Sequence, residues 1–163
     1  ISRWAFTVGR QSRPYRLENR PMPLLLKVQY RLADRLVFSR LRETMGGKMR
    51  FMVSGSAKLN AKVQGWFYSA GLVIIEGYGL TETTAVSFVN VPAHPRFGTV
   101  GQVLPGTEVK IADDGEVVLR GPAIMTGYHN APDLTAEALV DGWFHTGDIG
   151  HLDGDNNLTL TDR

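Results

Sequence analysis

The chain contains no cysteine. That excludes a disulfide framework and any thiolate metal site, and with them the small secreted scaffolds held together by cross-links. The absence also fits a reducing compartment, so a cytoplasmic location is expected. No apolar run approaches the roughly 20 residues that span a bilayer, and no secretory leader is visible at the start. The four histidines never pair at metal-ligand spacing. Gly55-Ser56 lacks the second glycine of a nucleophile elbow. There is neither a Walker-type phosphate loop nor a dinucleotide Gly-x-Gly-x-x-Gly after a strand. Asp153-Gly154-Asp155-Asn156-Asn157 resembles the opening of a calcium loop, but Leu158 stands where that loop needs glycine, so the segment reads as a turn. Aromatic residues, 9% of the chain, are not interleaved with basic ones, which argues against nucleic acid as a partner.

What is present is enough for one domain with a real core, or for two small lobes: 163 residues, 43% hydrophobic and 21% charged. The net charge of +2 conceals a strong division. Residues 1–50 hold twelve Lys/Arg against three Asp/Glu, or +9, and residues 51–163 hold six against thirteen, or −7. A basic first third reads as a solvated helical face whose acidic partner lies elsewhere. The second reading is peripheral contact with an anionic membrane. The chain opens on Ile1 and stops at Arg163 without a polar tail, and a piece of a longer protein is expected.

The expected fold class is α/β: a parallel strand–helix–strand lobe over 1–97, then a β-rich, barrel-like lobe over 98–163. Residues 1–20 read as a frayed helical tail and a loop punctuated by Pro14, Pro21 and Pro23. Leu25, Val28, Leu32, Leu36 and Met45 recur at helical spacing, with Val37 and Leu41 widening the stripe, and predict a core-facing amphipathic helix that ends at Gly46-Gly47. A strand over 49–53, a helix over 59–70 and a strand over 72–76 follow. The helix is expected to bury Leu59, Val63, Trp66, Phe67 and Ala70. A right-handed crossover would bring the loops after both strands, 54–57 and 76–81, to one sheet edge, where ligands of open parallel sheets bind. Pro92 and Pro95 mark the change of lobe. Beyond them, Asp113-Asp114-Gly115 predicts a hairpin between 108–112 and 116–120. Asp133 would cap a helix over 134–140, and a second hairpin would join 149–152 to 158–161.

Two stretches carry chemistry. Glu76-Gly77-Tyr78-Gly79-Leu80-Thr81-Glu82-Thr83 follows the apolar run Leu72-Val73-Ile74-Ile75. A strand ending in a glycine-rich turn that leads into a helix can hold a phosphate on free backbone N–H groups. Thr81 would add a hydroxyl, Glu82 could hold Mg²⁺ beside the phosphate, and Tyr78 offers a ring face to a base or acyl chain. The competing reading is a plain strand–turn–helix with Thr81 as N-cap. In Trp143-Phe144-His145-Thr146-Gly147-Asp148, a Thr-Gly turn would aim Asp148 outward, where a carboxylate accepts hydrogen bonds from ribose hydroxyls. The competing reading is an aspartate capping its own turn.

Taken together, the motifs resemble those of the adenylate-forming, AMP-binding superfamily. Glu76 to Thr83 is similar to its Tyr-Gly-x-Thr-Glu motif. Gly115-Glu116-Val117-Val118-Leu119-Arg120-Gly121, continuing to Gly127-Tyr128, is similar to its Gly-Glu…Gly-Tyr motif. Trp143 to Asp148 matches its Thr-Gly-Asp motif, and Thr161-Asp162-Arg163 stands where its hinge motif begins. Leu32 to Leu41 further resembles the long-chain acyl-CoA synthetases.

The resemblance implies roles. Thr81 would bind the AMP phosphate and Glu82 would hold Mg²⁺, these two being the catalytic pair. Tyr78 would stack on adenine, with Glu76 and Gly77 bordering the adenine and acyl pockets. Ser56 and Ala57 would lie against the base and the acyl head, and Asp148 and Arg163 would grip the ribose. Gly115 to Tyr128 would be mainly structural. The implied substrates are a long-chain fatty acid, ATP and CoA, joined through acyl-AMP. The family's phosphate loop would precede residue 1, and its C-terminal domain, with the catalytic lysine, would follow Arg163. The chain alone is therefore expected to be inactive and prone to self-association through uncovered apolar surface. Lys58 departs from the proline of many relatives. A fatty-acyl-AMP ligase, an aryl- or amino-acid-activating adenylation domain, and a non-catalytic nucleotide-binding module stay open beside the CoA ligase.

Overall fold

The computed structural model describes residues 1–162; Arg163 lies outside the described residues. The chain forms two compact units, one of residues 1–75 with 92–98, the other of 76–91 with 99–162. Residues 76–91, which begin inside the second strand, thus belong with the β-rich part of the chain.

The first unit is mainly helical. Helix α1 spans Ser2–Leu17, replacing the expected frayed tail and loop. Its inner stripe is Ala5, Val8, Gly9 and Ser12, all buried, at the spacing that lines one helix face. These residues are too small to register as an apolar stripe, but they admit close packing. A Cβ on Gly9 would lie 2.9 Å from the Ser69 Cβ and 3.0 Å from the Phe38 ring. Pro14 sits inside the helix, and the chain leaves it at Glu18.

The second predicted helix is helical throughout but divided. Helix α2 covers Leu24–Ala33, a π-helical turn covers Asp34–Phe38, and α3 covers Ser39–Thr44. The buried positions are Ala33 and Phe38, supported by Leu26, Tyr30, Val37 and Leu41. Of the expected stripe, Val37 and Leu41 thus face the core, while the rest is exposed: Leu25 72%, Val28 54%, Leu32 49% and Leu36 42%. The anchor that selects the other face is polar. Arg42 bonds both oxygens of Asp34 (2.7 and 3.0 Å) and the carbonyl of Ala70 (2.8 Å). The Asp34 bond, foremost, holds the Arg42 guanidinium above its ordinary pKa.

Strand β1 is Met52–Ser54, α4 is Ala61–Ser69 and β2 is Ile74–Tyr78, so the strand–helix–strand order is as expected. Asn60 caps α4 by accepting the Lys62 N–H at 2.8 Å. Here too the buried face differs in part from the predicted one: Ala70 is fully buried as expected, and Leu59 and Phe67 are half-buried, but Gln64, Gly65, Tyr68 and Ser69 are inside while Val63 and Trp66 are 41% and 45% exposed. Gln64 is fully buried because its amide has partners, the carbonyl of Ile74 (3.4 Å) and the N–H of Gly98 (3.2 Å). Met52 N–H donates to the Val73 carbonyl at 2.9 Å, beside the start of β2.

The second unit is an antiparallel sheet. From the end of β2 the order runs through β3 (Phe88–Val89), β4 (Gly101–Val103), β9 (Asn157–Asp162), β8 (Trp143–Leu152), β6 (Glu116–Arg120) and β5 (Glu108–Ile111), with β7 (Leu139–Val140) also on β8. Phe88, Val117, Leu119 and Leu158 form its fully buried centre. Each such side chain contributes about 1.5–3 kcal/mol when removed from water. Both predicted hairpins form, β5–β6 and β8–β9. The short helix α5 is Pro132–Ala138, with Pro132 rather than Asp133 opening it. Its predicted last residues pair as β7 instead.

Candidate active site

No helix follows the Glu76–Thr83 stretch. A single 3₁₀ turn, Thr81–Thr83, replaces it, and the chain returns antiparallel as β3. The cause is local. The Thr83 hydroxyl accepts the Leu80 N–H (3.0 Å) and donates to the Leu80 carbonyl (3.1 Å), closing the turn on itself. Thr84 and Ala85 then take positive φ of 55° and 77°, which breaks any helix. Ser87 N–H reaches the Tyr78 carbonyl at 2.8 Å to start the return. Gly79 makes this fold-back possible, since a Cβ there would sit 1.7 Å from the Ala85 carbonyl oxygen. Anion binding at this turn would therefore draw on the exposed Thr81 and loop N–H groups, with no helix N-terminus behind them.

Asp148 also departs from expectation. It is 6% exposed and lies within β8 rather than at an outward turn. Opposite Glu116 to Val118 of β6, strand β8 runs from Ile149 back to His145, so it carries extra residues and bulges. Gly147, at φ 71°, supplies the conformation the bulge requires. The Thr146 hydroxyl donates to the Val117 carbonyl at 2.7 Å and accepts the Asp148 N–H at 3.1 Å.

The bulge turns the Asp148 carboxylate toward β2, where the Tyr78 hydroxyl donates to it at 2.6 Å. Residues from two separate motifs, 70 positions apart, thus meet. The Tyr78 ring rests on Phe88, centroids 6.0 Å apart.

Glu82 has a partner the sequence reading placed only in a structural role. The Tyr128 hydroxyl donates to its carboxylate at 2.9 Å, and that bond, foremost, pushes the Tyr128 pKa up. Met125 N–H donates to the Glu82 carbonyl (2.7 Å), and the Thr84 hydroxyl donates to that of Ala123 (2.7 Å). The segment leading to Gly-Tyr is therefore fastened to the Thr-Glu turn. Only the recurrence of the two motifs in one chain could have signalled this pairing.

Glu76 is buried, at 3% exposure, and Gly77 pairs with Val89 in β2–β3. Ser56 and Ala57 belong to the first unit, exposed in the loop after β1, with Ser56 at φ 65°. Among the described residues no group of three or more His, Asp or Glu could hold a metal ion by itself. The donor set of Glu82 fits Mg²⁺ in one way only. This ion commonly takes one or two protein carboxylates and completes its octahedron with water and substrate phosphate.

A hydroxyl-bearing turn beside an acidic side chain, and a half-buried Tyr78 bonded to the buried Asp148, thus lie together in the second unit. The sequence matches the family model described as AMP-binding enzyme over residues 21–129, and the chain belongs to that family. It is 44% identical over 140 residues to the long-chain-fatty-acid–CoA ligase FadD15 of Mycobacterium bovis, covering 86% of this chain and 23% of that protein. It is 35% identical over 147 residues to long chain acyl-CoA synthetase 4 of Arabidopsis thaliana, covering 81% and 22%. Among solved structures, apo MatB from Rhodopseudomonas palustris matches with a TM-score of 0.69 at 31% identity, over 81% of this chain and 29% of that one. The anthranilate CoA ligase AuaEII, solved with anthranoyl-AMP, gives 0.65 at 29%, over 70% and 24%. The chain thus spans about a quarter of the length of these relatives. Among the described residues no helix is long and apolar enough to cross a membrane.

Proposed function

We propose that the chain is part of a ligase that activates a long-chain fatty acid, first to acyl-AMP and then to acyl-CoA. The observation that supports this reading is the Tyr78–Asp148 hydrogen bond, which brings together residues of the two motifs that the resemblance assigns to the base and the ribose. The fatty-acid relatives support the choice of acid.

In the first step a carboxylate oxygen of the fatty acid attacks the α-phosphorus of ATP. The bond to the bridging oxygen breaks, and pyrophosphate leaves with the electron pair. In the second, the CoA sulfur attacks the acyl carbonyl, AMP departs and the thiol proton passes to solvent or a base. The chain's own contribution is orientation and charge. Thr81 donates to an oxygen of the α-phosphate, which gains negative charge as the bond forms. Glu82, held by Tyr128, presents its carboxylate for Mg²⁺. That ion, when bound, neutralises phosphate charge. Asp148 accepts from the ribose, fixing the α-phosphorus in line with the attacking oxygen, and Tyr78 offers its ring to the base. The same reading gives Glu76 and Gly77 to the pocket borders, Ser56 and Ala57 to the base and acyl head, and Arg163 to the ribose. It also takes residues 1–97 as part of the AMP-binding subdomain and the end of the chain as the approach to a hinge.

The test is fatty-acid-dependent pyrophosphate release, then thioester formation, by the full-length protein that carries this chain, over a series of acid chain lengths. Activity that peaks with long chains and falls about 10- to 100-fold in Thr81→Ala, the scale of a lost hydrogen bond to a charged group, is the expected result. Pyrophosphate without thioester would identify an acyl-AMP ligase. No release with any carboxylate would leave a nucleotide-binding module.

A further inference from the structure

We propose that Glu116 is the positioning residue for Asp148: its carboxylate holds the β8 bulge in the shape that delivers Asp148 to the nucleotide's ribose. The proposal rests on the reading of Asp148 as a ribose ligand.

Glu116 opens β6 and its side chain is 14% exposed. Both of its oxygens are engaged with the bulge. Oε1 accepts the Gly147 N–H at 2.7 Å. Oε2 lies 2.6 Å from His145 Nδ1, which donates in the tautomer protonated there. Thr146, between these two partners, is tied to Val117, the neighbour of Glu116. Two adjacent residues of β6 therefore fix three consecutive residues of β8, and the next residue is Asp148. Its N–H is held by Thr146 and its carboxylate meets Tyr78 at 2.6 Å.

A bulge needs no carboxylate for its own sake. Its unpaired N–H groups can be satisfied by water where it is exposed, and Gly147 is exposed. A side chain that reaches across to a glycine N–H and to the preceding imidazole restricts the orientation of the loop and adds little burial. Placement to within a fraction of an ångström is what a ribose-binding carboxylate requires. Without Glu116 the Gly147 peptide has freedom to rotate, and Asp148 loses a fixed address while β6 and β8 keep their ladder.

The experiment compares kcat and KM for ATP and for 3′-deoxy-ATP in the full-length protein, for the unaltered sequence and for Asp148→Ala, Glu116→Ala and Glu116→Gln. The expected unaltered protein prefers ATP by about tenfold or more, the scale of a hydrogen bond to a carboxylate. Asp148→Ala abolishes the preference. Glu116→Ala reduces it at least several-fold, mainly through KM for ATP. Glu116→Gln, whose amide oxygen still accepts from Gly147, retains most of it. A merely structural Glu116 would lower the melting temperature or yield and leave the ATP to deoxy-ATP ratio untouched, and that result overturns the proposal. Should Glu116→Ala not fold, Glu116→Asp carries the same test, because it keeps the charge and shortens the reach: reduced discrimination supports the proposal and full discrimination overturns it. If the unaltered protein has no preference, or Asp148→Ala retains it, the ribose reading itself fails, and Glu116 falls with it.

Discussion

The Tyr78 hydroxyl and the Asp148 carboxylate form a short, charge-assisted hydrogen bond between a half-buried tyrosine and a buried aspartate. Its removal leaves a carboxylate with one donor fewer. Tyr78→Phe is expected to lower stability by about 1–3 kcal/mol, read as a lower urea midpoint with an unchanged slope. An unchanged midpoint would show that water takes the place of the hydroxyl. The sequence made both residues legible as site candidates, because glycine-rich and Thr-Gly-Asp stretches are short and rarely coincide by chance. It did not make their bond legible. A contact across 70 positions depends on strand order, and strand order is not written in either motif. Tyr128 and Glu82 show the same limit: each was read, but in different roles, until the turn and the loop were seen fastened together.

At the level of elements, hydrophobic spacing found α2 and α4, missed most of α1, and misjudged much of the face that α2 and α4 bury. Leu25, Val28, Leu32 and Leu36 are a clear stripe by period, yet small residues and half-buried polar anchors decide the packing here. In α1 the contact face is Ala5, Val8, Gly9 and Ser12, a pattern hidden by arginines on the other faces and by Pro14. The consequence is a helix that tolerates no bulk. Gly9→Val should cost about 1–3 kcal/mol by overpacking against Ser69 and Phe38, visible as a fall of several degrees in the thermal midpoint, and Gly9→Ala should cost less. An unchanged midpoint for the valine variant would refute the close packing of α1 on α4. Hairpins were the most legible elements, since Asp113-Asp114-Gly115 states its turn chemistry outright, and Gly115 N–H closes it onto the Ala112 carbonyl at 2.9 Å. The helix expected after Thr81 failed for a comparable reason: Thr83, Thr84 and Ala85 carry a turn that a search for apolar period does not detect.

For the molecule as a whole, the charge division and the exposed face of α2 belong together. Leu25, Val28, Leu32 and Leu36 share the region with Lys27, Arg31 and Arg35. Such a surface suits association with another copy or with an anionic bilayer. We expect the 163-residue chain to sediment as concentration-dependent oligomers, and Val28→Glu with Leu32→Glu to shift it toward the monomer. Adhesion to phosphatidylglycerol vesicles that weakens between 0.05 and about 0.5 M salt would favour the membrane. Oligomers unaffected by both substitutions would place the sticky surface elsewhere.

Three crossings connect the two compact units, after Ile75, after Val91 and after Gly98, and the first lies within the single strand Ile74–Tyr78. The Pro92–Gly98 segment, the apparent seam between lobes, is an excursion back into the first unit. No single cut divides such a chain into its two parts. Severing it at 97/98 takes β3 away from its partner β4, so the units are partners in one topology, to be inherited, recombined or engineered together.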